Sequence, residues 1–322
     1  MLRYAAIRLT YAMPLLFGVI VVIFCVLQLV PGDPVQAIVG EFPVPPAFRA
    51  AIEARYHLSD PLWQRLYHYF ATLLRGDLGF SFRLQQGVLS AIMERAPRTL
   101  LLAMTGYAVG IIGGILVGIH AAITNRRTVD QAWTCAVLVG YAMPSFWVGQ
   151  LLVIVFAMHL GWLPTQGMGP LISRATGVAW FAERVPYLIL PVATYAIYEG
   201  TRVARLIKAS VTDTLNQGYI VTARQKGLTR SEIIRGHVIR NSILPVVTAM
   251  GYSFGTAMGG AVLIETVFSW PGVGLLMIDA IRMRDNQVIV GVVLFVAVCV
   301  ILMNLIVDLL YFWLDPRIRV GR

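Results

Sequence analysis

The chain has 322 residues, of which 58% are hydrophobic and only 13% are Asp, Glu, Lys or Arg. A soluble domain carries about a quarter charged residues, so the sequence lacks the polar surface that soluble domains of this length need. The net charge of +10 does not indicate nucleic-acid binding, because the basic residues stand between apolar runs instead of forming one patch. The composition therefore predicts an all-α integral membrane protein.

Six apolar runs reach the length of about 20 residues that a membrane-spanning helix needs. They are Leu9 to Val30, Leu100 to Ile123, Ala132 to His159, Tyr187 to Ile207, Ser242 to Ile264 and Val288 to Leu314. We interpret the first run as a retained span, since no small-x-small cleavage site follows it. The fourth run carries Glu199 and Arg202 in its last third. Pro144 and Pro191 lie inside runs and predict mild kinks.

The distribution of basic residues predicts the orientation of these spans. With the N-terminus in the cytoplasm, the inner segments hold fifteen Lys and Arg and the short outer loops hold four. Basic residues are enriched in cytoplasmic loops, so both termini are predicted to be cytoplasmic. Residues 1–98 then contain the first span and a large outer segment. Residues 99–322 contain five spans and a cytoplasmic loop at about residues 209–241.

Glycines recur at every fourth position in two of the spans. They are Gly106, Gly110, Gly114 and Gly118 in the second span and Gly251, Gly255 and Gly259 in the fifth. Such a row lies on one helix face and lets another backbone come close. We expect these rows to pack helices within one bundle. A groove on a transport path and a contact between subunits remain alternatives.

Motifs for catalysis or for holding a nucleotide are absent from the sequence. It contains no G-x-x-x-x-G-K-[ST] loop, no H-E-x-x-H and no G-x-S-x-G. Cys25, Cys135 and Cys299 lie far apart in apolar runs and share no metal-ligand spacing. We therefore expect no catalytic residue, no bound metal and no cofactor, so that energy for uphill transport would come from another subunit. A secondary transporter that works alone is disfavoured, because the spans hold few ionisable residues and no inverted repeat is visible.

The inner loop, residues 219–245, is the most informative segment. It predicts two short helices hinged at Gly227, where a close approach of two helices favours a residue without Cβ. Thr229 and Glu232 have the spacing of a capping box at the start of the second helix. The second helix has an apolar stripe, Ile233, Ile234, Val238 and Ile239, and basic residues elsewhere, Arg230, Arg235 and Arg240. By periodicity alone, a helix on the membrane surface and a helix that docks in a partner's groove fit equally well.

This loop resembles the cytoplasmic loop of ATP-binding-cassette (ABC) importer permeases. Ala223, Gly227 and Leu244-Pro245 match that loop, whereas Val221 and Thr222 depart from its Glu-Ala start. In both departures the loop resembles the branch of these permeases that serves dipeptides, oligopeptides and nickel. Further matches to that branch are Pro31-Gly32-Asp33-Pro34, Gly76-Asp77-Leu78-Gly79, Pro144-x-Phe146-Trp147, Leu163-Pro164, Arg240-Asn241, Trp270-Pro271-Gly272 and Asp315-Pro316-Arg317.

The resemblance implies a type I ABC importer permease with six transmembrane helices, a multi-pass protein of the bacterial cytoplasmic (inner) membrane. Its coupling loop would contact an ATPase subunit through Ala223, Arg224, Lys226, Gly227, Leu244 and Pro245. The implied partners are a second permease subunit, two ATPase subunits that bind ATP and Mg, a periplasmic or lipid-anchored solute-binding protein, and membrane lipid. The outer segment before Arg98 would be periplasmic and would face the solute-binding protein.

The implied function is the import of short peptides, either dipeptides or oligopeptides. A nickel chelate, glutathione or another peptide-like solute is the alternative within the class, and a non-transporting sensor is a further one. We expect the periplasmic turns to be structural more than substrate-binding. They comprise Pro31, Gly32, Asp33, Pro34, Gly76, Asp77, Gly79, Trp270, Pro271 and Gly272.

Overall fold

The computed structural model describes residues 2–29, 33, 35–36, 45–124, 126–170, 172, 175–243, 246 and 261–314. These residues are helical almost throughout, which confirms the predicted all-α class. The chain divides into two compact units, one of Met1–Thr99 with Pro271–Arg322 and one of Leu100–Trp270. The predicted division at residue 98 lies beside the first of these boundaries. The stretch that begins at Pro271 groups with the N-terminal part and not with residues 100–270.

The first unit contains helices and one short hairpin. They are α1 (Leu2–Leu29), α2 (Pro46–Arg55), α3 (Leu62–Leu74), β1 (Phe80–Ser81), β2 (Gln86–Gly87), the first part of α4 (Val88–Ile123), α10 (Val273–Met283) and α11 (Asn286–Leu314). The antiparallel hairpin pairs Phe80 with Gly87 and Ser81 with Gln86. α1 packs against α11, and Phe17 of α1 stacks on Phe70 of α3 with ring centroids 4.9 Å apart.

Buried polar contacts fix the helix starts in this unit. Asp285 precedes α11, and its Oδ1 accepts a hydrogen bond from the Val288 amide at 3.2 Å. The other oxygen of Asp285 accepts from the hydroxyl of Ser81. The amide of Val273, the first residue of α10, donates to Thr99 Oγ1 at 2.8 Å. These bonds satisfy amides that have no partner inside their own helices.

The second unit contains the rest of α4 and the following helices. They are α5 (Arg127–Ala142), α6 (Ser145–Leu152) with a π-helical continuation (Val153–His159), α7 (Gly177–Leu215), α8 (Gly218–Gln225) and α9 (Arg230–Ile233) with a π-helical continuation (Ile234–Val238). Residues 239–243 and 261–267 are also helical. α5 packs along α7, where Lys208 pairs with Asp130 and donates to Thr134 Oγ1 at 2.9 Å.

Three described helices are long and apolar enough to cross a membrane. These segments are Thr10–Leu29, Val88–Ile123 and Asn286–Val307, and they match the first, second and sixth predicted spans. The fourth predicted span lies within α7, and most of the fifth lies outside the described residues. The number of six spans stays a prediction.

The third predicted span is not one helix with a mild kink, so that prediction was wrong. Arg127–Ala142 and Ser145–His159 are bent by 108°. Pro144 has no amide hydrogen, and it forces Met143 into an extended conformation with φ −77° and ψ 133°. α7 continues through Pro191, so proline alone does not decide the outcome.

Candidate functional site

The hinge of the inner loop is the turn between α8 and α9. The amide of Lys226 donates to the Thr222 carbonyl at 3.0 Å and that of Gly227 to Arg224 at 3.0 Å. Gly227 has a φ of +82°, in the left-handed region that glycine adopts without penalty. A Cβ added there would meet no atom within 4 Å. Glycine is therefore required by the backbone conformation, and the proposed close approach of two helices was the wrong reason.

The second helix of the loop begins with a capping box, as predicted. Thr229 Oγ1 accepts from the amide of Glu232 at 3.3 Å, and Glu232 Oε2 accepts from the amide of Thr229 at 2.7 Å. The hydroxyl of Thr229 also donates to this carboxylate. The hydroxyl and amide bonds from Thr229 hold the pKa of Glu232 below its ordinary value. The box satisfies two amides at the start of α9 that have no partner inside the helix.

The residues predicted to contact an ATPase subunit divide into two groups. Ala223 is buried in a cluster with Ile220 and Ile233, so its side chain packs the loop together. Arg224 and Lys226 are exposed, as is Gly227. The structure thus offers two cations and a hinge on the surface. Leu244 and Pro245 lie outside the described residues.

The second helix is amphipathic as predicted. Ile233 and Val238 are buried and Ile234 and Ile239 are half-buried, whereas Arg230, Arg235 and Arg240 are exposed. The apolar side belongs to a cluster that includes Val203, Ile207 and Val211 of α7. The loop therefore rests on the helix that leads into it.

Polar bonds tie the same loop to two long helices. The Arg230 guanidinium donates to the carbonyl of Ile123, the last residue of α4. The hydroxyl of Ser242 donates to Thr214 Oγ1 at 3.0 Å, and Ser242 Oγ also lies 3.2 Å from the Ser210 carbonyl oxygen, both on α7. The loop is therefore hydrogen-bonded directly to both α4 and α7. A cavity of about 430 Å³ lies here, lined by Ala122, Ile123, Leu215, Arg224, Leu228, Arg230, Ile233 and Ile234.

The four glycines of the second predicted span face α7. A Cβ on Gly106 would lie 2.6 Å from Tyr195 Cβ, and one on Gly110 would lie 3.1 Å from Ala196 Cα. A Cβ on Gly114 would lie 2.5 Å from the Gly200 carbonyl oxygen. A Cβ on Gly118 would lie 2.5 Å from the Ala204 carbonyl oxygen and would collide with Ile207. We call this contact the α4–α7 seam, and it packs helices inside one unit. Gly251, Gly255 and Gly259 lie outside the described residues.

The partner row of this seam was not predicted from the sequence. Ala196, Gly200 and Ala204 stand four residues apart on α7, opposite Gly110, Gly114 and Gly118. Their spacing is the same signal that identified the first row. Charged residues between them, Glu199 and Arg202, hid the pattern.

The predicted turns hold the ends of helices. Gly76 and Gly79 have φ of +76° and +90°, and the carboxylate of Asp77 accepts from the Gly79 amide at 2.8 Å. The side chain of Trp270 is buried, and its backbone amide donates a hydrogen bond to the Glu265 carbonyl at 2.8 Å. These two contacts close the turn after residues 261–267. Pro271 accepts from Arg98, and Gly272 precedes α10. Asp33 forms an ion pair with Arg49, and the hydrogen bond from Arg49 lowers the pKa of the Asp33 carboxyl group. Pro31, Gly32 and Pro34 lie outside the described residues.

Comparisons with known proteins show the family of this chain. Residues 114–320 match the family described as "Binding-protein-dependent transport system inner membrane component". The chain is 37% identical to the Di/tripeptide transport system permease protein DppB of Pseudomonas aeruginosa, over 99% of both chains. It is 36% identical to the Dipeptide transport system permease protein DppB of Escherichia coli K12, again over 99% of both. The Glutathione transport system permease protein GsiC of Escherichia coli O6:H1 is also 36% identical, with 99% coverage.

Solved structures share the fold at low sequence identity. An amino acid ABC transporter chain gives a TM-score of 0.52 at 16% identity, covering 70% of this chain and 94% of that one. The inward-facing MetNI methionine ABC transporter gives 0.51 at 15% identity, covering 68% and 96%.

The family match and the fold shared with two ABC transporter structures show that this all-helical chain has the ABC importer permease fold. The chain belongs to the family of binding-protein-dependent transport system inner membrane components. It is therefore an inner membrane component of an ABC transport system, and its relatives include peptide permeases.

Proposed function

We propose that the chain is one of two permease subunits of an importer that carries short peptides into the cytoplasm. The observation that supports this most is 36–37% identity over 99% of the chain with permeases named for dipeptides and tripeptides. In this proposal the protein has six transmembrane helices with both termini in the cytoplasm. Residues 31–98 are periplasmic and meet the solute-binding protein.

ATP is hydrolysed on two partner subunits, which also bind Mg, and this chain is non-catalytic. In this proposal the chain supplies no catalytic residue and no cofactor, and no metal bound to it takes part in the transport step. A second permease subunit and a periplasmic or lipid-anchored solute-binding protein complete the complex.

The inner loop couples nucleotide to transport. Arg224, Lys226 and Gly227 form the exposed surface that an ATPase subunit grips, together with Leu244 and Pro245. The bonds of Arg230 to α4 and of Ser242 to α7 make the loop move with both helices. Closure of the ATPase pair would favour one of two arrangements of the helices through contacts that differ between them.

Reconstituted transport tests the function. The permease pair, its two ATPases and the solute-binding protein are placed in proteoliposomes with ATP accessible to the ATPases. A labelled dipeptide is expected to accumulate only with hydrolysable ATP and the solute-binding protein. Accumulation without ATP would contradict the proposal.

Glutathione is the second candidate solute, because the similarity to a glutathione permease reaches 36% over 99% of the chain. Competition separates the candidates: excess unlabelled dipeptide, tripeptide, glutathione or nickel chelate is added to the uptake assay. A dipeptide importer is inhibited most by dipeptide. Dominant inhibition by glutathione would assign the second candidate.

Labelling tests the topology. Cys25, Cys135 and Cys299 are replaced by serine, and one cysteine is placed at Lys226 or at Arg75. A membrane-impermeant maleimide is expected to label the cysteine at 226 only in inside-out vesicles and the one at 75 only in right-side-out vesicles. The reverse pattern would invert the proposed orientation.

A further inference from the structure

The connection between α2 and α3 places two imidazoles beside a carboxylate. α2 ends at Arg55, and the chain turns so that the amide of Asp60 donates to the His57 carbonyl at 3.1 Å. His57 Nδ1 lies 3.1 Å from Asp60 Oδ2. The ring of His57 stacks on that of His68 from α3, with centroids 3.8 Å apart and planes 7° from parallel. One potential ligand atom from each residue lies within 4.8 Å of the other two.

The backbone at His57 is strained in a way that serves this arrangement. His57 has a φ of 54°, in the left-handed region that residues with a side chain adopt uncommonly. Strained backbone of this kind is kept where the surrounding structure needs it, often at functional sites. Here the left-handed turn is what brings Asp60 back over His57. A glycine would make the same turn without strain, but it would supply no ligand.

We propose that His57, Asp60 and His68 bind a divalent transition-metal ion of the Zn²⁺ or Ni²⁺ type. Two imidazole nitrogens and one carboxylate oxygen suit these ions, whereas Mg²⁺ and Ca²⁺ prefer oxygen ligands only. Three protein ligands leave coordination positions that water fills. The site lies wholly in the first unit and is separate from the inner loop.

The site is reachable from solvent, and binding requires its side chains to rearrange. The side chains of His57 and Asp60 are 42% and 31% exposed, and both histidines line a cavity of about 300 Å³. An imidazole lone pair lies in the plane of its ring, so two stacked rings cannot both point at one ion, and binding of an ion turns at least one ring out of the stack. The ion then joins the end of α2, the turn and α3. Arg55, Arg65 and Asp77 also line the cavity.

Metal titration of the full-length purified chain tests the site directly. The protein carries a tag without histidine, is stripped with a chelator and is titrated with Zn²⁺, Ni²⁺ or Mg²⁺ by calorimetry. We expect one equivalent of Zn²⁺ or Ni²⁺ to bind and to raise the unfolding temperature, because a ligand that binds only the folded state stabilises it. Mg²⁺ is expected to give no heat. Failure of the unmodified chain to bind Zn²⁺ or Ni²⁺ would overturn the proposal.

Two variants separate a metal site from general damage. His57→Gly removes a ligand and relieves the strained turn, so it is expected to fold normally and to bind Zn²⁺ at least about tenfold more weakly. His68→Ala is expected to weaken binding similarly. His237→Ala, which changes a histidine of the inner loop, is expected to bind as the unmodified chain does. Unchanged Zn²⁺ affinity in the double variant of His57 and His68 would overturn the assignment. Because the measurement uses no transport assay, its outcome is independent of the proposed function.

Discussion

Two regions of the molecule need glycine for different physical reasons. In the α4–α7 seam, a Cβ on Gly114 or Gly118 would lie 2.5 Å from a backbone oxygen of α7, so these glycines supply space. In the hinge of the inner loop, a Cβ on Gly227 would meet nothing, but its φ of +82° excludes most side chains. The seam therefore holds the unit together, whereas the hinge sets the direction of α9, whose apolar side packs in the cluster with α7. A substitution in the first should affect folding, and one in the second should affect coupling.

The largest expected effect on stability comes from a substitution in the α4–α7 seam. Gly118→Ala places a methyl group against Ile207 and the carbonyl oxygen of Ala204, and overpacking of this kind costs about 1–3 kcal/mol. We expect a lower thermal unfolding temperature in detergent and reduced amounts of protein in the membrane. Gly113→Ala is the matched control, because a Cβ there meets no atom within 4 Å. Equal stability of the two variants would contradict the seam.

A protein with a substitution at the hinge should lose transport activity while it keeps its fold. We expect Gly227→Leu to insert into the membrane normally and to abolish ATP-driven uptake, since leucine does not adopt a φ of +82° without a cost of about 1–2 kcal/mol. Uptake by vesicles that contain the assembled complex is the measurement. Gly227→Asn, whose side chain tolerates the left-handed region, should recover part of the uptake. Gly236→Ala, at an open position of the same loop, should have no effect. Normal uptake by Gly227→Leu would refute the hinge.

The exposed cations should matter for holding the ATPase subunits. The double variant Arg224→Glu with Lys226→Glu is expected to recover fewer ATPase subunits in detergent pull-downs, because like charges at a contact are repelled. The control is Arg65→Glu with Arg75→Glu, which makes the same change of net charge in the segment around α3. Undiminished recovery with the first pair would remove these residues from the contact.

The capping box should have the smallest effect. Thr229→Ala removes one side-chain cap, which is worth about 1 kcal/mol, and should increase hydrogen exchange of the amides that follow in α9. Thr229→Ser keeps the cap and is the control. Equal exchange in the alanine and serine variants would show that the box does not hold the helix.

The same capping box makes the stability of the start of α9 depend on pH, and the direction of this dependence follows from the pKa of Glu232. The folded-state pKa of Glu232 lies below its ordinary value of 4.5, so its stabilising contribution is present above pH 4.5. It is lost as the pH falls below 4.5 and through the lowered pKa. The chemical shift of the Thr229 amide should follow this titration, and in Glu232→Gln it should not. A midpoint above 4.5 would contradict the sign.

The elements that the sequence predicted correctly are those set by neighbours along the chain. Thr229 and Glu232 stand three residues apart, so their capping box depends only on local contacts. The stripe that contains Ile233 and Val238 follows from helical periodicity in the same way. The residue at the hinge, Gly227, was also identified, although its physical reason became visible only from its φ.

Features that depend on distant packing were beyond the sequence. Pro144 signals a break, but the angle of 108° depends on what the two helices pack against. The row of Ala196, Gly200 and Ala204 can be recognised as a packing surface only when α4 is seen to lie opposite it. The stacking of His57 on His68 joins residues on either side of a turn, and no sequence motif with the spacing of these two histidines predicts it.

The central claim is that this chain moves solute only when partner subunits hydrolyse ATP. Vesicles that contain this protein alone are compared with vesicles that contain the whole complex, with the solute-binding protein, dipeptide and ATP supplied to both. The account predicts no ATP hydrolysis and no accumulation with the chain alone, and both activities with the complex. Accumulation of dipeptide, or turnover of ATP, by the chain alone would contradict it.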